Sequence, residues 1–135
     1  MNLPEIPAGS AVLGIGIDLI EVPRIQKALE RQGDRFRDRV FTEGELAYCD
    51  AIKFNGPHFA ARFAAKEAVS KAFGTGIGEH IGWKSIEVVK DNLGKPLIRL
   101  DEKGKALLAQ KQATDVLVSL AHTREHATAV AILIR

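Results

Sequence analysis

Asp18, Glu67 and Lys71 are the residues whose types and settings suggest chemistry. Asp18 interrupts an apolar run in Gly14-Ile15-Gly16-Ile17-Asp18. An ionised carboxylate among apolar neighbours needs a cation, a hydrogen-bond donor or a neutralising proton close by. Two readings are open for it: a structural carboxylate at a polar strand end, or a metal ligand. The glycines are not a dinucleotide fingerprint, because the third glycine position is Leu19 and the segment does not open directly onto a helix. Glu67 falls in an alanine-rich stretch, 57–73, with no interior glycine or proline, which predicts a helix. Steps of about 100° place Ala65, Ala68, Val69 and Ala72 on one face and Lys66, Glu67, Ser70 and Lys71 on the other. By themselves Glu67 and Lys71, in the favourable i,i+4 order, describe an exposed salt-bridged face. The alternative is that one acid flanked by lysines helps to hold a magnesium ion together with phosphate oxygens.

A second group lies near the C-terminus, where His122, Thr123, Arg124 and His126 fall within one polar turn. A turn histidine is commonly a hydrogen-bonded surface residue, whereas three cationic or switchable groups together suit a phosphate contact. The glycines at 74, 76 and 78 follow a helix, so they end it and cannot aim a helix N-terminus at phosphate. Cys49, Trp83, Tyr48, His58 and His80 have no partner at a chemically telling spacing and are read as packing or surface residues.

The elements that must position these groups follow from the pattern. Residues 12–20 form a short apolar run with β-branched residues around glycines, the signature of a buried strand. A helix starts near Pro23, with Ile25 and Leu29 inward and Arg24, Lys27 and Arg31 forming a basic stripe at helical spacing. Gly33 ends it and Asp34 is placed to cap a short second helix. Thr42 followed by Glu45 is a capping box opening a helix to about residue 53, before Asn55, Gly56 and Pro57 break the chain. Residues 86–90 and 96–100 flank a turn and predict a hairpin, 103–112 a short amphipathic helix, and 116–120 and 128–134 two further strands. The order predicts an α+β fold, a small mixed sheet packed with helices, with no internal repeat or linker.

The 135 residues suit one domain, 1–135, in which residues 1–10 form an N-terminal extension. With 46% hydrophobic and 27% charged residues the chain has the profile of a folded protein rather than a disordered one. The single cysteine closes no intramolecular disulfide and builds no zinc knuckle, which points to a reducing cytoplasm. The apolar run before residue 20 is too short to span a bilayer, and no basic n-region precedes it, so neither membrane insertion nor secretion is expected. Net charge is +2, and the stretch 21–40, with six bases against four acids, carries an equal surplus. Interspersed acids in that stretch argue against nucleic-acid binding.

Taken together the segments resemble the holo-acyl-carrier-protein synthase family of phosphopantetheinyl transferases. The stretches that carry the resemblance are Gly14-Ile15-Gly16-Ile17-Asp18-Leu19-Ile20-Glu21-Val22-Pro23-Arg24-Ile25, Ala61-Arg62-Phe63-Ala64-Ala65-Lys66-Glu67-Ala68-Val69-Ser70-Lys71-Ala72-Phe73-Gly74-Thr75-Gly76, and Ser119-Leu120-Ala121-His122-Thr123. The resemblance implies a phosphopantetheinyl transferase-like fold and transfer of the 4'-phosphopantetheine arm of coenzyme A to a serine of an apo-acyl carrier protein. It also implies that Asp18 and Glu67 hold Mg²⁺ with the pyrophosphate, that Arg62, Lys66 and Lys71 face the coenzyme's phosphates, and that His122 and Thr123 lie near the coenzyme. Family members of this length are similar to homotrimers with active sites between subunits. The basic stripe of Arg24, Lys27 and Arg31 is then expected to dock the carrier. The competing reading is a non-catalytic module that binds carrier protein or nucleotide, for which two converging acids serve no purpose.

Overall fold

The computed structural model describes residues 3–135 and is built of five helices and five strands. The order is β1 (Val12–Glu21), α1 (Val22–Gln32), α2 (Asp34–Val40), α3 (Glu43–Asp50), α4 (Gly56–Ala72), β2 (Ile86–Lys90), β3 (Pro96–Leu100), α5 (Glu102–Gln110), β4 (Asp115–His122) and β5 (His126–Ile134). Met1 and Asn2 of the expected extension lie outside the described residues.

The strands form a three-stranded sheet in the order β1-β5-β4 and a separate β2-β3 hairpin. Every pairing is antiparallel, which corrects the expected mixed sheet. The reason is topological: the short turn after β4 returns β5 alongside it, and β1 adds to the other edge of β5. The two strands that run the same way, β1 and β4, are therefore never neighbours.

α4 lies across one face of this sheet, and both surfaces are made of small residues. Ala60, Ala61, Ala64, Ala65, Ala68 and Ala72 on the helix and Ala127, Ala129 and Ala131 on β5 are all buried. The approach is closest at β1. A Cβ on Gly14 would stand 1.9 Å from the Ala72 carbonyl oxygen, and one on Gly16 1.9 Å from that of Ala68. No side chain fits there, so these glycines set the distance between strand and helix. Phe36, Phe41, Phe59 and Phe63 fill the space between α2 and α4, with ring centroids 5.0 to 6.4 Å apart.

Local signals act as expected at most helix ends. Thr42 and Glu45 form the capping box reciprocally, at 3.2 and 2.9 Å. Gly33, at φ 53°, ends α1 and itself occupies the N-cap of α2, so Asp34 lies in the first turn rather than capping it.

Candidate active site

β1 carries Asp18 to the flank of α4, where Lys71 in the last turn of the helix meets it. Lys71 Nζ donates to Asp18 Oδ1 at 3.2 Å and to the Ile17 carbonyl oxygen at 3.0 Å. The Asp18 backbone oxygen accepts from Thr128 Oγ1 at 2.8 Å, which fastens the strand at this point to β5. Burial pushes the Asp18 carboxyl above its ordinary range, opposed by the hydrogen bond and charge of Lys71 and by the charge of Arg24. Glu67, one turn before Lys71, is also pushed up, first by burial and then by the negative charge of Asp18, with Lys71 opposing. Two carboxyl groups from distant points in the chain thus share one electrostatic environment, in which the charge of Lys71 acts on both. Arg24, the first residue of the basic stripe, borders it.

A second cluster occupies the other side of α4. Arg62 and Lys71 are nine residues apart, about two and a half turns at 3.6 residues per turn, and so project on opposite faces. His58 and Glu67 have the same separation. His58 stacks edge to face on His122 with centroids 4.8 Å apart. The Arg62 guanidinium lies 4.0 Å from the Tyr48 ring centroid, and Lys90 Nζ 4.9 Å from the same ring. Arg62 Nη1 donates to the His58 carbonyl oxygen at 3.3 Å, while its buried Nε has no protein partner. His58, Arg62, Lys90 and His122 line a cavity of about 200 Å³. Burial, then the positive charges of His122, Arg62 and Lys90, push His58 below its ordinary range. Tyr48 is pushed down by its hydrogen bond to Lys90, against its own burial. The cavity is therefore cationic and suited to an anion.

Lys66 is placed otherwise than its spacing suggested. Its side chain is fully buried and turns away from Glu67 and Lys71. Nζ pairs with Glu45 Oε1 at 2.7 Å and donates to the Trp83 carbonyl oxygen at 3.0 Å and to that of Ile86. Ser70 is likewise buried and donates to the Glu67 carbonyl oxygen at 2.7 Å. The expected polar face is reduced to Glu67 and Lys71, because α4 has neighbours on nearly every side. Lys66 is a strut joining α4 to α3 and β2 and faces no open cavity for a coenzyme. Thr123 shapes the turn after β4, its Oγ1 accepting from the amides of Glu125 at 3.3 Å and His126 at 3.1 Å.

Tyr48 and His58, read from the sequence as packing or surface residues, pack edge to face with centroids 6.1 Å apart, and His58 also lines the cavity. The i,i+4 spacing of His58 and Arg62 was a usable signal in the sequence, but Lys90 arrives from β2 and had none. The glycines after α4 close the helix as expected, with Gly74 N donating to the Lys71 oxygen at 2.9 Å and Gly76 N to that of Ser70 at 3.1 Å.

Asp18 and Glu67 are a fitting but partial donor set for magnesium. Among the described residues there is no group of three or more His, Cys, Asp or Glu side chains able to hold a metal. Two hard oxygen donors suit an ion that commonly takes one or two carboxylates and completes its shell with phosphate and water.

The sheet face opposite α4 bears Ile15, Ile17 and Leu19 on β1 and Leu117 on β4, respectively 38%, 64%, 68% and 46% exposed. Cross-strand register aligns Ile15 with Ile132 and Leu117, and Ile17 with Val130. An apolar face therefore lies between the strand that carries Asp18 and the strand that carries His122.

Comparison with known proteins places this arrangement. Residues 14–131 match the model of the 4'-phosphopantetheinyl transferase superfamily, and the chain belongs to that family. It is 48% identical over 120 residues to the holo-[acyl-carrier-protein] synthase of Ruminiclostridium cellulolyticum, covering 88% of this chain and 90% of that one. The crystal structure of the Neisseria meningitidis holo-[acyl-carrier-protein] synthase superposes with a TM-score of 0.86 at 29% identity, covering 92% of this chain and 99% of that one. That of the Helicobacter pylori enzyme in complex with coenzyme A gives 0.79 at 29% identity, over 88% and 98%.

Proposed function

We propose that this protein is a holo-acyl-carrier-protein synthase, transferring the 4'-phosphopantetheine group of coenzyme A to a serine of an apo-acyl carrier protein and releasing adenosine 3',5'-bisphosphate. It would serve fatty acid biosynthesis in the cytoplasm, a compartment that the single, unpaired Cys49 suits. The observation that carries this reading is the convergence of Asp18 with Glu67 and Lys71, the last 53 positions away in sequence, in a chain whose relatives bear that enzyme's name.

In this reading Asp18 and Glu67 hold magnesium and the pyrophosphate of coenzyme A. The bound ion would neutralise the pyrophosphate and the charge that develops on the departing bisphosphate. Lys71, anchored between Asp18 and the Ile17 carbonyl oxygen, orients the carboxylate and offers a positive charge to phosphate oxygens. Arg62, Lys90 and His122 form the cationic cavity that takes the nucleotide's remaining phosphate, and Thr123 holds the His122 turn in shape. Arg24, Lys27 and Arg31 dock the acidic carrier beside the reacting phosphorus, since Arg24 already acts on Asp18.

The two clusters project from opposite faces of α4, so one chain does not wrap one coenzyme with both. We infer a homotrimer in which the apolar face of β1, β5 and β4 is the interface, setting the Asp18 cluster of one subunit against the His122 cluster of the next. The exposed Ile17 and Leu19 support this, because a large apolar patch on a folded surface marks a contact.

The test is transfer rate against magnesium concentration for Asp18→Asn and Glu67→Gln, which keep side-chain size and remove a negative ligand. Each should lose at least about 100-fold in rate, and the double variant little more, because losing one ligand already disables a shared ion. Near-normal transfer in either single variant would refute a common metal site.

A further inference from the structure

The residues before the family match begin at Leu3 among those described, and they pack beside the reacting groups. Leu3, Pro4 and Ile6 join Leu13, Lys71 and Lys111 around a cavity of about 300 Å³, within the range of small-molecule pockets. The segment is fastened at its base: Arg135 Nη2 donates to the Ser10 carbonyl oxygen at 3.2 Å, and Arg135 N to that of Ala11 at 2.9 Å. Its tip reaches the end of α4, where Leu3 Cδ1 stands 3.7 Å from the position a Cβ on Gly74 would take. Residues 3, 4 and 6 precede the start of the family match at residue 14, so this wall lies outside the matched span.

We propose that this cavity receives the distal pantetheine arm of coenzyme A, and that the N-terminal segment thereby adds affinity for the arm rather than for the nucleotide. The inference rests on the function proposed above. Lys71 belongs to both places: its Nζ meets Asp18 while its stem lines the cavity. The arm is esterified to the phosphorus that the Asp18 cluster would hold, so it must leave from there. The cavity lies along β1 toward Gly14, four residues before Asp18, a run of roughly 13 Å at about 3.3 Å per residue. Its walls combine apolar side chains and the Lys71 stem, which suit the methyl and methylene groups of the arm, with Lys111, a donor residue that suits its amide oxygens.

The test uses the full chain with Leu3→Ser/Ile6→Ser, which removes apolar wall, and with Leu3→Trp, which fills the space. KM for coenzyme A is measured beside the inhibition constant of adenosine 3',5'-bisphosphate, which lacks the arm. Both variants should raise KM for coenzyme A, by about tenfold for the double serine variant. The bisphosphate constant and the KM for carrier should stay unchanged, and an unchanged bisphosphate constant also shows that the variant is folded. Unaltered KM for coenzyme A in both variants overturns the proposal, as does a parallel rise of the bisphosphate constant. A wild-type protein that transfers nothing would instead refute the parent function, so the two failures are distinguishable.

Discussion

Replacing Lys66 by methionine separates the buried strut from the phosphate-binding role its sequence position suggests. The Lys66 and Glu45 side chains are both fully buried, with Nζ and Oε1 2.7 Å apart. Burial pushes the lysine's pKa down and the charge of Glu45 holds it up. Methionine fills most of the volume but leaves Glu45 a buried carboxylate, compensated only by the amides of Thr42 at 2.9 Å and Val88 at 2.8 Å. It also strips a donor from the Trp83 and Ile86 carbonyl oxygens. Breaking a buried pair from one side costs about 3–5 kcal/mol. For a chain of this size that should lower Tm by about 10–15 °C. Adding Glu45→Gln to Lys66→Met removes the stranded charge, so the double variant should be more stable than the sum of the two single losses predicts. Scanning calorimetry of the three variants measures the stability cycle, and KM for coenzyme A, measured below the transition, should be unchanged. A Lys66→Met protein that melts like the wild type while its KM for coenzyme A rises would refute the structural role.

Other outcomes follow from the same geometry. Arg24→Glu should raise the KM for carrier and reduce the salt sensitivity of the rate with little change in coenzyme A binding, as steady-state kinetics at two ionic strengths would detect. Burial raises the Asp18 and Glu67 carboxyls in the folded chain, so metal-free protein holds protons there that the unfolded chain has released. Metal-free stability should therefore fall as pH climbs from their ordinary values through the raised ones, and in chelator at neutral pH Asp18→Asn or Glu67→Gln should melt above the wild type. Gly16→Ala, whose Cβ would meet the Ala68 oxygen, should cost about 3 kcal/mol or more by urea unfolding. Sedimentation at micromolar concentration should give a mass near three times 14.7 kDa, and an active monomer would contradict the interface assigned to the sheet.

Much of this fold was legible because its signals are local. The Thr42 and Glu45 capping box, the hairpin strands at 86–90 and 96–100, and the alanine-rich helix each depend on residues within one element. Sheet direction was not local, since β5 had to be seen entering between β1 and β4. The same divide runs through the site. Asp18 announced itself as a charge inside an apolar strand, and its meeting with Lys71 follows from glycines that let β1 rest on α4. Helical spacing alone could not show that the Lys66 side of α4 is covered by α3 and β2, or that Glu45 reaches it while also capping its own helix. The cavity of His58 and Lys90 was missed because it gathers residues from α4 and β2 around His122 on β4.

The most direct test of the central claim is the intact mass of a carrier protein. Apo-acyl carrier protein incubated with this protein, coenzyme A and magnesium should gain one phosphopantetheine group on its serine, with adenosine 3',5'-bisphosphate released in equal amount and the gain at least about 100-fold slower when the Asp18→Asn variant is used. A carrier of unchanged mass after prolonged incubation with folded protein, or a gain that the Asp18→Asn variant supports equally, would contradict it.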